Sequence, residues 1–85
     1  SSRELHTDLN RALKKATENL DMAIQESGAQ VTADPLPEVN CREVYLVQLF
    51  QNLLSNSIKY RGPEPPHIHV TAERGRGEWL IAVRD

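Results

Sequence analysis

Asn52, Asn56, Lys59 and Tyr60 stand at spacings of four, three and one, and in a helix the first three would share one flank. Asparagine is a poor residue for a helix interior, because its amide competes with the backbone for hydrogen bonds. Two of them one turn apart therefore invite a role. A neutral amide oxygen is a hard ligand suited to magnesium, which keeps several waters and shares its remaining positions with substrate phosphates. A lysine one turn further supplies the positive charge that phosphates need. On spacing alone, a wet helix face is the simpler description of the row. The other candidates are weaker. His67 and His69 fall on one side of a strand, but no third ligand has suitable spacing, so they read as a solvent-facing pair. Cys41 is the single cysteine. It excludes an internal disulfide, lacks the companions of a zinc site, suits a reducing cytosol and reads as a helix-start residue.

The elements that must position this row follow from hydrophobic period and turn chemistry. Leu9, Leu13, Ala16, Leu20, Ala23 and Ile24 recur at helical spacing, which predicts an amphipathic helix over 10–27 with Gly28 as its left-handed stop. Short strands are expected at 4–8 and 30–34, the second ended by Pro35 and Pro37. Asn40 and Glu43 have the spacing of a capping box, and Val39 with Val44 that of a hydrophobic staple, so a second helix should begin there. Its buried stripe is Leu46, Leu49, Phe50, Leu53, Leu54 and Ile58, and it must stop near Tyr60 before Gly62-Pro63-Glu64-Pro65-Pro66. From His67 the period changes to two. Ile68, Val70 and Ala72, a turn at Gly75 and Gly77, then Trp79, Ile81 and Val83 give a hairpin whose second strand is apolar on both faces, as an interior strand should be. The fold class is α+β, a two-layer sandwich with two helices on one face of a mixed sheet. Leu13, Leu20, Leu49, Leu53, Val70 and Ile81 should share its core.

The run from Leu46 to Arg61, read LVQLFQNLLSNSIKYR, resembles the N-box of sensor histidine kinases, whose usual form is close to N-L-L-x-N-A-I-K-Y; Ser57 replaces the common alanine. The Asp8-Leu9-Asn10 start, the Asp34-Pro35-Leu36-Pro37 segment and the hairpin ending Val83-Arg84-Asp85 match the same family's order. The flavour is that of phytochrome-like or PAS-coupled kinases, which often follow K-Y-R with glycine and proline. The resemblance implies that residues 1–85 form the N-terminal part of a kinase's ATP-binding domain, with ATP and magnesium as cofactors. It implies that Asn56 coordinates magnesium, Asn52 supports the metal and phosphate region, Lys59 contacts phosphate and Tyr60 lies on the ribose and phosphate side. Asp85 would open the D-x-G-x-G box and accept from the adenine amino group. No catalytic side chain is assigned. His6 lacks the pattern that follows a phosphoacceptor histidine. The implied partners are the dimerisation and phosphoacceptor domain and a downstream response regulator; the apolar second strand of the hairpin, with an outer edge expected to be unpaired, adds a second copy of the chain.

Two alternatives remain beside that reading. ATP hydrolases of the same superfamily carry a glutamate at the position of Asn52, and an amide cannot take a proton from water at neutral pH. A catalytically silent interaction module is the other. Composition narrows the field further. At 39% hydrophobic and 26% charged residues the chain reads as globular, and only four aromatic residues, Tyr45, Phe50, Tyr60 and Trp79, point to a thin core. A net charge of −2 with acids and bases mixed provides no basic stripe for nucleic acid. No apolar run reaches the ~18 residues of a membrane span. The expected location is cytoplasmic without membrane contact by this segment, even if a parent protein is anchored.

Overall fold

The computed structural model describes residues 6–84. The expected Glu4-Leu5 start of the first strand and Asp85 lie outside the described residues. The element order is β1 (His6–Asp8), α1 (Leu9–Asn19), α2 (Asp21–Ser27), β2 (Gln30–Ala33), β3 (Glu38–Asn40), α3 (Glu43–Lys59), β4 (His67–Arg74) and β5 (Trp79–Arg84). This is an α+β arrangement, as expected from the sequence. No helix among the described residues is long and apolar enough to cross a membrane.

The long first helix proves to be two. Asp8 caps α1, its Oδ1 accepting the Asn10 backbone N–H at 2.8 Å, so the helix begins one residue earlier than its apolar period implied. It ends at Leu20, which leaves helical geometry at φ −101° and ψ 15°. The break falls where Asn19, a weak helix former, sends its side chain to Gln51 Oε1 on α3 at 3.1 Å, and Asp21 then opens α2 from its favourable first-turn position. Gly28 stops α2 as expected, at φ +72°. A Cβ there would also stand 3.3 Å from Pro65 Cβ.

The single sheet is also divided. β1 and β3 pair antiparallel, with His6 opposite Asn40, while β4 is the central strand of a three-stranded sheet in the order β2-β4-β5. Gln30 to Ala33 run parallel to His67 to Val70, and β5 runs antiparallel to β4. Pro35 and Pro37 explain the division, because neither has an N–H for a ladder. Leu36 between them is instead held by the Asn10 carboxamide. Asn10 Nδ2 donates to the Leu36 carbonyl at 2.9 Å and Asn10 Oδ1 accepts the Leu36 N–H at 3.1 Å. β3 was not expected, since three residues after a proline pair carry no alternation to read.

That strand takes Asn40 away from the expected capping box. α3 starts at Glu43 with Arg42 as its N-cap and no side-chain cap bond, and Val44 is exposed rather than stapled to Val39. Glu43 faces α1 instead. Arg11 Nε and Lys15 Nζ form ion pairs with its Oε1 at 3.2 and 3.1 Å. With Arg11 and Lys15 largely exposed these pairs contribute little to stability.

The core joins Leu9, Ala12, Leu13 and Ala16 of α1 to Leu46, Phe50, Leu54 and Ile58 of α3 and to Ile68 and Val70 of β4. Of the six residues expected to share it, Leu13 and Val70 are buried and Leu20 and Ile81 pack against it partly buried. Leu49 is 40% exposed and Leu53 half-buried. The buried stripe is narrower than predicted because α1 lies along one side of α3 and leaves the opposite flank with Leu49 exposed and Leu53 only partly covered. Phe50 has no exposed surface. Phe50→Ala should therefore cost about 3–5 kcal/mol, read as the shift of the urea midpoint followed by circular dichroism. A loss below about 1 kcal/mol would show that this residue is not the centre of the core.

Candidate functional site

α3 presents the row because its other face is fixed. With Leu46, Phe50, Leu54 and Ile58 buried, the 3.6-residue period turns Gln48, Asn52, Asn56 and Lys59 to the outside as one i, i+4, i+8, i+11 line. All four are exposed. The structure thus brings Asn52, Asn56 and Lys59 together on one helix with Tyr60 at its end; Asp85, the remaining expected site residue, lies outside the described residues.

The four amide and ammonium groups are not equally free. Gln48 Nε2 donates to Asn52 Oδ1 at 3.2 Å. The Asn56 side chain makes no hydrogen bond among the described residues, and its backbone carbonyl accepts the Tyr60 N–H at 3.0 Å as α3 ends. Lys59 forms no ion pair among the described residues. Its Nζ lies 5.3 Å from the Tyr60 ring centroid, within the range of a cation–π contact, and its charge complements the helix C-terminus. Tyr60 itself is 75% exposed. Arg61 turns back to close the helix, donating from Nη1 to the Ile58 carbonyl at 2.7 Å.

These groups fit a magnesium and phosphate ligand by the chemistry of their donor set. One amide oxygen, on Asn56, is uncommitted, and one ammonium, on Lys59, is unneutralised three residues on. No group of three or more His, Cys, Asp or Glu residues able to hold a metal occurs among the described residues, so any metal here would rest on amide oxygen, water and the phosphates themselves. The row is an open surface. A cavity of about 460 Å³ lined by Val39, Leu46, Trp79 and Ile81 lies beside the N-terminal half of α3 and includes none of the four residues.

Elsewhere, His67 is exposed, and His69 faces solvent with 40% of its side chain exposed while also being hydrogen-bonded. Its Nδ1 lies 2.7 Å from Thr32 Oγ1 and its Nε2 3.0 Å from Asp34 Oδ1, which ties the end of β2 to β4. Cys41 sits in the bend between β3 and α3, its carbonyl accepting from the buried Thr7 hydroxyl at 2.6 Å. Sequence reasoning passed over Gln48. The signal was present, since an amide stands one turn before Asn52 at i, i+4 spacing.

No family model matches the chain. Its relatives are cyanobacterial phytochromes. It is 52% identical over 79 residues to cyanobacterial phytochrome A of Nostoc sp., an alignment covering 93% of this chain and 10% of that protein. It is 38% identical over 79 residues to a phytochrome-like protein of Synechocystis sp., covering 93% of this chain and 11% of that protein. Cyanobacterial phytochrome B of Nostoc sp. is 36% identical over 55 residues, or 64% of this chain and 7% of that protein. The chain therefore spans about a tenth of the length of the relatives it matches. The phytochrome-like flavour of the N-box resemblance agrees with these relationships.

Because the Asn56 side chain is exposed and makes no hydrogen bond among the described residues, its truncation opens no cavity. Asn56→Ala should change unfolding free energy by no more than about 0.5 kcal/mol, measured by urea titration. A loss of about 2 kcal/mol would assign the residue to the fold rather than to a site.

Proposed function

We propose that this chain supplies part of the ATP-binding region of a two-component sensor histidine kinase, which transfers the ATP γ-phosphoryl group to a histidine on a separate domain. The observation that carries the reading is the exposed line of Asn52, Asn56 and Lys59, with Asn56 and Lys59 uncommitted, on a helix whose rotation the core fixes. The N-box resemblance and the phytochrome relatives support it. Asn56 holds magnesium through its Oδ1, Lys59 binds a phosphate oxygen, Asn52 supports the same region, Tyr60 borders the ribose and phosphates, and Asp85 accepts from the adenine amino group. Magnesium, when bound, neutralises charge on the phosphates during transfer. The residues' own task is positioning and charge compensation, which is most of what phosphoryl transfer requires.

Asn52 also bears on the choice between transfer and hydrolysis. A carboxamide cannot take up a proton at neutral pH, whereas a glutamate in its place could activate water. The partners on this reading are the phosphoacceptor and dimerisation domain, a response regulator and a second copy of the chain, in the cytoplasm.

In the full-length protein, Asn56→Ala should abolish autophosphorylation and weaken magnesium-dependent ATP binding, followed by radiolabel transfer and calorimetry; full activity would end the reading. Asn52→Glu should raise ATP hydrolysis, and an unchanged rate would remove the argument from water activation. The 85-residue chain by itself should neither phosphorylate itself nor bind magnesium ATP with micromolar affinity, because the residues assigned here offer an open surface without a clamp. It should also associate with other copies, since the outer edge of β5 is unpaired among the described residues and Leu80 on it is exposed. Calorimetric titration and sedimentation test both expectations; tight binding would refute the first and a stable monomer the second.

A further inference from the structure

We infer that Gln48 is a positioning residue that sets the polarity of Asn52, turning its amide nitrogen toward ligand phosphate and leaving Asn56 alone to offer an oxygen to magnesium. The inference rests on the proposed nucleotide site. A carboxamide has one accepting end and one donating end. Gln48 Nε2 donates to Asn52 Oδ1 at 3.2 Å, which turns that oxygen back toward Gln48 and leaves the NH₂ group on the side facing away from it. The reverse pairing, with Asn52 donating to Gln48, would leave the oxygen outward. The helix favours the observed sense. Both carboxamides then carry their oxygens toward the N-terminus of α3 and their NH₂ groups toward the C-terminus, so each side-chain dipole lies antiparallel to the peptide dipoles beside it.

The consequence is a division of labour along one line of side chains. Asn52 contributes N–H donors, Asn56 an uncommitted amide, and Lys59 an ammonium group. A phosphate chain accepts hydrogen bonds through every oxygen, so two donors flanking one metal ligand match it better than two competing oxygens. Gln48 need not touch the nucleotide to matter. It holds Asn52 in the donating orientation before the ligand arrives, which removes part of the ordering cost of binding.

Substitution at position 48 tests this directly in the full-length protein. Gln48→Glu supplies only acceptors, so Asn52 must donate to it and turn its oxygen outward; Gln48→Met removes the pairing at similar volume. Calorimetry should show magnesium ATP binding weakened about tenfold by Gln48→Glu, and less by Gln48→Met. The added charge of Gln48→Glu is separated from its action through Asn52 by repeating it in an Asn52→Ala background, where its effect should fall below about twofold. In ¹⁵N spectra, the Asn52 side-chain NH₂ resonances should shift with nucleotide in the unaltered protein and stay put in Gln48→Glu. An equal effect in both backgrounds, or none in either, overturns the inference. If Asn56→Ala still loses binding in that case, the nucleotide reading stands without it; if the unaltered protein binds no magnesium ATP, both fall together.

Discussion

The burial of one face of α3 is the constraint on which the other features depend. Leu46, Phe50, Leu54 and Ile58 repeat every four residues and are closed over by α1 and by Ile68 and Val70 of β4. A helix held at four successive turns on one side has no rotational freedom left, so the polar line on its far side is placed by packing rather than by any contact of its own. This is why the candidate site residues can be exposed and sparsely bonded and still stand in fixed register. Close packing at Phe50 and orientation at Asn56 are two results of one arrangement.

The second organising feature is negative. Pro35 and Pro37 cannot donate to a ladder, so the chain between β2 and β3 leaves one sheet and joins another. Asn10 makes that departure tolerable by giving Leu36 the two hydrogen bonds a neighbouring strand would have supplied. The same carboxamide touches Asp8, the cap of α1. The start of the first helix, the proline loop and the small β1-β3 sheet are therefore secured by one polar side chain and its neighbours. Similar economy holds on the outer face of the larger sheet, where His69 joins Thr32 and Asp34 across the parallel pair.

One flank of α3 and, among the described residues, the outer edge of β5 carry exposed apolar side chains. Leu49, Tyr45 and Leu80 are exposed, and Trp79 keeps 37% of its surface in solvent while Arg74 stacks 5.6 Å from its ring. Apolar residues in such number on a thin core are surface that further polypeptide can cover.

What the sequence determined by itself was whatever is set by period and by local chemistry. The stripe at Leu46, Phe50, Leu54 and Ile58, the stop at Gly28, the hairpin turn near Gly77 at φ +68° and the i, i+4 line of Asn52 and Asn56 all follow from spacing within one element. The run resembling an N-box was legible for the same reason, being contiguous over α3 and its end. What only the tertiary structure decided was the use made of groups with more than one available partner. Asn40 had the spacing of a cap and went into β3; Glu43 had the spacing of its partner and turned to Arg11 and Lys15. The helix that the apolar period carried through Leu20 is interrupted there, where Asn19 bonds to Gln51 of α3. Leu49 and Leu53 have the right type for the core, but Leu49 is left exposed and Leu53 only partly covered, and no local pattern records where a neighbouring element ends. Polar side chains and marginal apolar ones are assigned by which element comes near, and that is fixed only when the chain has packed.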